Sequence, residues 1–263
     1  MKFCIVVSNK DKAGLNIKDK LIKYHGFKKK GSMYQKANIS LLTLPDDTIY
    51  SDDIDKIFLA DLYIFATRHS SAKGVKSLSV HAPGNWGPAD YGGREGTLCV
   101  APASYIKEGL KILDSYAKGL DFQITVEQTH HGPILKRPCM FIEIGSEEKS
   151  WCEELPGKII AKTIMELLHR KPRYESTVFL GGGHYNHEVN KILLKTNLAV
   201  GHICAKHALK YLDKQLLLQA IDKTSEPVKR IIIDWKGLGE YKQKVIAILD
   251  EMEISYEKSK RLI

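Results

Sequence analysis

Along this chain, apolar runs of strand length alternate with stretches in which apolar residues recur at helical spacing. Residues 2–8 (KFCIVVS), 38–44 (NISLLTL), 62–67 (LYIFAT), 121–129 (DFQITVEQT), 139–144 (CMFIEI), 176–181, 197–204 and 229–234 read as strands. Several are apolar throughout, the pattern of strands covered by helices on both faces. Helical period marks 103–118, where Ile106, Leu110 and Leu113 share one stripe, and 156–169, opened by Pro156 and carrying Ile159, Ile160, Ile164 and Leu167. Residues 186–195, 205–222 and 239–252 behave in the same way. This alternation predicts an α/β fold, a three-layer sandwich around a mixed, largely parallel sheet.

One region breaks the rhythm. Residues 68–102, between a strand and a helix, are rich in Gly and Pro and carry His69, His81, Trp86 and Tyr91. A long irregular stretch of this composition is expected to be an ordered, functional loop. The chain as a whole is expected to form one domain over residues 1–263. No segment approaches the roughly 18 uninterrupted apolar residues of a membrane span, and the apolar start is too short for a signal peptide. The expectation is a soluble, cytoplasmic, monomeric protein. Its five cysteines stand singly with no C-x-x-C pair, which argues against a disulfide framework and a cysteine zinc knuckle. A formal charge of +9 favours a polyanionic partner.

Four segments at expected strand ends concentrate unusual residues: HAPGNWG (81–87), QTHHGP (128–133), FIEIGS (141–146) and GGGHYNH (181–187). Ligand sites of open α/β sheets form at such ends, so the four fit one cleft. There is no G-x-G-x-x-G, Walker loop or H-E-x-x-H. Gly181, Gly182 and Gly183 either offer amides to an oxyanion or simply turn the chain from strand to helix. Glu143 interrupts an apolar strand, so it is either a compensated buried carboxylate or on the exposed face of an edge strand. Alternation would send His130 and His131 to opposite faces unless the chain bends there. Imidazoles with a carboxylate suit zinc, which brings the pKa of a bound water to about 7. His202 is expected in the core, Lys206 at a phosphate, and His25 and His169 at helix ends.

Taken in order, HAPGNWG, QTHHGP, P-x-M-F-I-E-I-G-S followed by Trp151, GGGHY and GHI-x-x-KH resemble the archaeal and plant type of D-aminoacyl-tRNA deacylase. MKFCIVVS and ATRHSSAKG look like the same family. The resemblance implies hydrolysis of the ester between a D-amino acid and the 3′-terminal adenosine of tRNA. It also implies dependence on Zn2+ and a fold similar to peptidyl-tRNA hydrolases and zinc aminopeptidases. Matched motif by motif, it implies His130, His131, Glu143 and His184 as catalytic residues, with His81, His131, Glu143 and His184 as candidate zinc ligands. His81, Asn85, Trp86, Gly181, Gly182, Gly183 and Lys206 are candidates for substrate binding. In this scheme Glu143 holds the α-amine, while Trp86 stacks the terminal adenine or walls off the wrong side chain. Where that family often has a proline this chain has His187, so its helix start is expected to differ. The basic clusters Lys28–Lys30, His169–Arg173 and Lys258–Arg261 are candidates for the tRNA backbone. Two rival readings are a zinc aminopeptidase or amidase on small substrates and a tRNA-binding protein without catalysis.

Overall fold

A computed structural model describes residues 1–72 and 74–263. The first apolar run forms β1 (Phe3–Ser8), buried along its length, and α1 (Lys12–His25) follows. The Asp11 carboxylate caps α1 by accepting the Gly14 amide at 2.8 Å, and Gly26 ends it in the left-handed conformation, φ 71°. A basic hairpin, β2 (Lys28–Lys30) and β3 (Met33–Lys36), leads into β4 (Ile39–Leu44). Next come α2 (Ile54–Ile57), β5 (Leu62–Arg68), β6 (Ser77–His81) and the short ribbon β7 (Gly84–Asn85) with β8 (Thr97–Leu98). The middle of the chain runs through α3 (Ala103–Ala117), β9 (Gln123–Val126), β10 (Cys139–Gly145), α4 (Glu148–Cys152) and α5 (Glu154–His169). The remainder alternates β11 (Glu175–Leu180), α6 (His187–Lys195), β12 (Leu198–Cys204), α7 (Lys214–Asp222), β13 (Val228–Ile233), α8 (Lys242–Glu251) and β14 (Tyr256–Lys258).

The expected mixed, largely parallel sheet is present, in two pieces. The larger has strand order β2-β3-β4-β1-β5-β10-β6-β9, with β4, β1, β5 and β10 parallel and β6 antiparallel to β10. The smaller, β12-β11-β13-β14, is parallel throughout. Alternation sorts its side chains: Phe179 and Ile232 join the core with α3 and α6, while Val178, Leu180, Ile231 and Ile233 face α7 and α8. Helices α1, α3 and α5 cover one face of the large sheet through Ile17, Leu110 and Ile164, packed on Ile5, Ile64 and Ile142. Each such side chain contributes about 1.5–3 kcal/mol by leaving water. No helix of the described residues is long and apolar enough to cross a membrane.

Three expectations change. Residues 68–102 are not irregular throughout, because β6 lies buried between β10 and β9. Ser77 and Ser79 break its apolar run and hid it, whereas Leu78 and Val80 pack beneath the helices. The helix expected over 205–222 is a 3-10 turn at Lys206–Ala208 followed by α7, whose N-cap Asp213 accepts the Leu216 amide. The strand expected over 121–129 ends at Val126, and the chain beyond it leads to His130 and His131, which line the cleft described next.

Candidate active site

Strand register assembles the site. Glu143 on β10 lies opposite Thr67 of β5 and Ser79 of β6, so the three share one face. One pair earlier, Phe141 lies between Phe65 and His81, with ring stacking at 4.8 and 5.2 Å. Because β10 is an interior strand, the exposed-edge alternative for Glu143 is excluded, and the residue is 2% exposed. Thr67 donates to Glu143 Oε1 at 2.7 Å. Glu127, which follows β9, is equally buried.

His130 and His131 both reach the cleft, since His131 adopts a left-handed backbone, φ 48°, and the alternation fails there. For a non-glycine residue this costs about 1–3 kcal/mol, strain of the kind held at functional sites. Gly132 permits it by close backbone approach: a Cβ there would stand 2.3 Å from both Gly93 N and Ile49 O. His184 enters from the turn after β11, where its carbonyl accepts the Gln128 amide at 2.9 Å. His69 follows β5 and is anchored by its carbonyl, which accepts from the Trp151 indole at 3.0 Å.

Two carboxylates sit among these imidazoles. Glu127 Oε2 is 2.8 Å from His184 Nε2, 3.1 Å from His69 Nδ1 and 3.6 Å from His130 Nε2. Glu143 Oε2 is 3.6 Å from both His69 Nδ1 and His81 Nε2. Burial opposes ionisation of Glu143, yet the facing His69 and His81 outweigh it and hold its pKa at about 2. Glu127 is likewise drawn well below the carboxylate range, by His184 and His69 against its burial. For His69, burial lowers the pKa but the two carboxylates raise it to about 10, and His81 rises for the same reason. Burial dominates at His131, which falls to about 4, and at His130, which is drawn well below its ordinary value with help from its imidazole neighbours.

The backbone fixes three of these rings. Nδ1 of His81, His130 and His131 lies 3.2, 2.9 and 2.6 Å from the carbonyls of Ala82, Gln128 and Gly132. A carbonyl only accepts, so each Nδ1 carries a proton, and each ring turns its Nε2 elsewhere. A lone pair facing a carboxylate repels it unless a proton or a metal ion lies between them. Among the described residues, His81 Nε2, His69 Nε2, Glu143 Oε2 and Glu127 Oε1 are buried without a hydrogen-bond partner. Three groups bring ligand atoms within 4.8 Å of one another: His81, His130 and His131; His69, Glu127 and His184; and His81, Glu127 and Glu143. The donor set therefore fits a divalent ion. A cleft of about 470 Å³ opens onto it, lined also by Asp11, Asp47, Thr48, Ile49, Arg68 and Tyr91.

The expected residues separate accordingly. His81, His130, His131, Glu143 and His184 converge, but His184 groups with His69 and Glu127 rather than with His81 and His131, so the four-residue zinc set does not form one group. Trp86 cannot stack a base: it is 3% exposed, and its indole donates to the Ile203 carbonyl at 3.1 Å. Asn85 is turned to the Gly92 carbonyl at 2.9 Å and ties down the adjoining loop. The Gly181 amide is spent on the Cys204 carbonyl at 2.8 Å, and none of Gly181, Gly182 and Gly183 lines the cleft. Gly181 and Gly182, at φ 110° and 79°, serve instead as the turn that delivers His184. Lys206 is half-exposed and paired with Glu240 at 2.9 Å. His187 stands exposed at the start of α6, which Asn186 caps. His202 is a core group bonded to Thr129 and the Cys99 carbonyl. Sequence reasoning missed Glu127, three residues before His130, and gave His69 no role. ATRHSSAKG and the composition of 68–102 carried the signal for His69, and the Thr125 to Glu127 spacing that for Glu127.

Ionised carboxylates, clustered imidazoles and unmatched buried atoms at the strand ends of an α/β sandwich make this cleft the candidate catalytic centre. The model of one family, D-aminoacyl-tRNA deacylase, matches residues 58–257. The chain is 36% identical to the D-aminoacyl-tRNA deacylase of Pyrococcus furiosus, over 97% of this chain and 98% of that one. It is 37% identical to the protein of the same name from Thermococcus kodakarensis, over 96% and 98%. A crystal structure of a conserved protein of unknown function superposes with a TM-score of 0.91 at 30% identity, covering 99% of this chain and 96% of that one. This chain belongs to the D-aminoacyl-tRNA deacylase family.

Proposed function

We propose that the cleft at His130, His131 and Glu143 is where the ester between a D-amino acid and the 3′ end of tRNA is hydrolysed. The observation that carries this reading is that His69, His130, His131, Glu143 and His184, from four separate segments of the chain, line one cleft, with His81 and Glu127 packed against them. An aminoacyl ester is already activated. Its hydrolysis needs a positioned water, a proton acceptor and a donor for the leaving ribose oxygen.

Glu143 lines the cleft with an ionised carboxylate set between His69 and His81, and it is the acceptor for the substrate's α-ammonium group. Glu127 does not line it and orients His69, His130 and His184 from behind. His184, at the mouth, is held by Glu127 at Nε2 and by Gln128 at Nδ1. His81, His130 and His131, whose Nε2 lone pairs the backbone directs, are the residues that would hold zinc. Zinc, when bound, supplies a water acidic enough to ionise near neutral pH.

Strand polarity sorts the basic clusters. Lys258–Arg261 follows β14 at the same end of the small sheet as the His184 turn, whereas His169–Arg173 closes α5 at the opposite end. Arg170 in the latter is occupied by Glu108 and Glu166. Lys258–Arg261, at the end of the small sheet that carries the His184 turn, is the surface for the tRNA backbone. A monomer in the cytoplasm suffices, since one chain contains the whole cluster. Matched D- and L-aminoacyl-tRNA, incubated with and without a chelator, test the reading. Release of the D-amino acid alone, abolished by chelation and restored by zinc, is expected; equal release of both, or indifference to chelation, refutes the selectivity or the metal respectively.

A further inference from the structure

With Trp86 buried, the aromatic platform expected for the terminal base has to come from elsewhere. Among the described residues lining the cleft, Tyr91 is the one that is neither imidazole nor aliphatic nor charged yet carries a large flat ring, and it is 67% exposed. Its main chain is held on both sides. Gly132 N donates to the Tyr91 carbonyl at 3.0 Å, placing the residue beside His131. Gly92, at φ 75°, passes so near the Thr48–Tyr50 turn that a Cβ would stand 2.1 Å from Ile49 O. Asn85 grips the Gly92 carbonyl at 2.9 Å. A backbone clamped between two walls thus displays an uncovered ring at the mouth of the cleft. Tyr50, also exposed at 60%, stands alongside it, 3.1 Å from where a Gly92 Cβ would be.

We propose that Tyr91 is the stacking platform for the terminal purine of the substrate, so that the site recognises a nucleoside ester rather than an amino-acid ester alone. This rests on the deacylase reading above. In an aminoacylated 3′ end, the base lies one ribose away from the scissile ester, and Tyr91 lies one peptide away from His131. Every base has a π face, and a ring with two side-chain torsions loses little freedom on stacking.

The test uses the full chain with D-aminoacyl-tRNA as substrate and free adenosine as competitor. Tyr91→Ala should raise KM and the adenosine inhibition constant by roughly tenfold or more, with kcat changing far less. Tyr91→Phe should restore both, and thermal unfolding should be the same for all three proteins because the ring is exposed. Wild-type KM and wild-type inhibition by adenosine in Tyr91→Ala overturn the platform, as does a loss confined to kcat. A wild-type chain inert to D-aminoacyl-tRNA overturns the deacylase reading and the platform together.

Discussion

The interior of this protein holds two assemblies of buried charge, and they are built on opposite terms. On α3, Lys107 is fully buried, and its ammonium donates to the carbonyls of Leu193, Thr196 and Leu198 at 2.5, 2.8 and 3.0 Å. Three donors meet three acceptors at the C-terminal end of α6, where unpaired carbonyls would otherwise remain. Around the cleft, by contrast, Glu127, Glu143, His69 and His81 each keep a buried atom with no partner. Every bond at Lys107 is made within the fold, which marks it as structural. The bonds left open around the cleft are the ones a substrate or an ion would complete under the proposed function, and that residual demand separates the two assemblies.

The largest effect should come from the open assembly. Glu143→Gln keeps the bond to Thr67 but removes the charge, and is expected to lower kcat/KM about 10²- to 10⁴-fold with a smaller loss of stability than the next variant. Denaturant titration alongside kinetics checks this. A loss of stability comparable to that of the next variant would erase the contrast. Lys107→Met strands three carbonyls and should cost about 3 kcal/mol or more of stability, measured by the same titration, with the kcat of the folded fraction retained.

Trp86→Phe tests a smaller version of the same distinction. It removes one buried hydrogen bond and should cost roughly 1–3 kcal/mol, with KM for D-aminoacyl-tRNA unaltered; a raised KM would return Trp86 to the substrate. His202, outside the cleft, has its pKa lowered to about 4 by burial, against an ordinary value of 6.5. The unfolded chain therefore takes up a proton between these values that the folded chain refuses. The stabilisation is complete above pH 6.5 and declines as pH falls towards 4, by about 1.4 kcal/mol per unit. Unfolding curves at pH 7.5, 6 and 5 should show this slope, and it should flatten in His202→Gln. Least of all, removing Lys260 and Arg261 should raise KM severalfold at low salt and reduce its salt dependence, whereas removing Lys171 and Arg173 should do neither.

The resemblance motifs and the apolar periods made most of the architecture legible. β1, β4, β5, β10, β11, β12 and β13 lie where continuous apolar runs stand, because strands covered on both faces need no polar alternation. β6 was not legible: its alternate positions, Ser77, Ser79 and His81, face the site rather than oil, so the run looked like a loop. Glu127 escaped notice because an acid at a strand end is unremarkable until its surroundings are known. Trp86 was misassigned since an indole beside glycines fits an exposed platform and a core anchor equally well, and only the Ile203 carbonyl decides between them.

From the order of residues alone came the class of fold, the family, and the histidines and carboxylate of the motifs, all of which depend on local pattern and spacing. The three-dimensional structure decided which of those side chains meet. Register placed Glu143 between Thr67 and Ser79, a left-handed turn brought His130 and His131 to one side, and distant Glu127 became the centre of the imidazoles. Distances between residues tens of positions apart are set by strand pairing and by which buried polar atoms are left unmatched, and neither quantity is written in any local stretch of the chain.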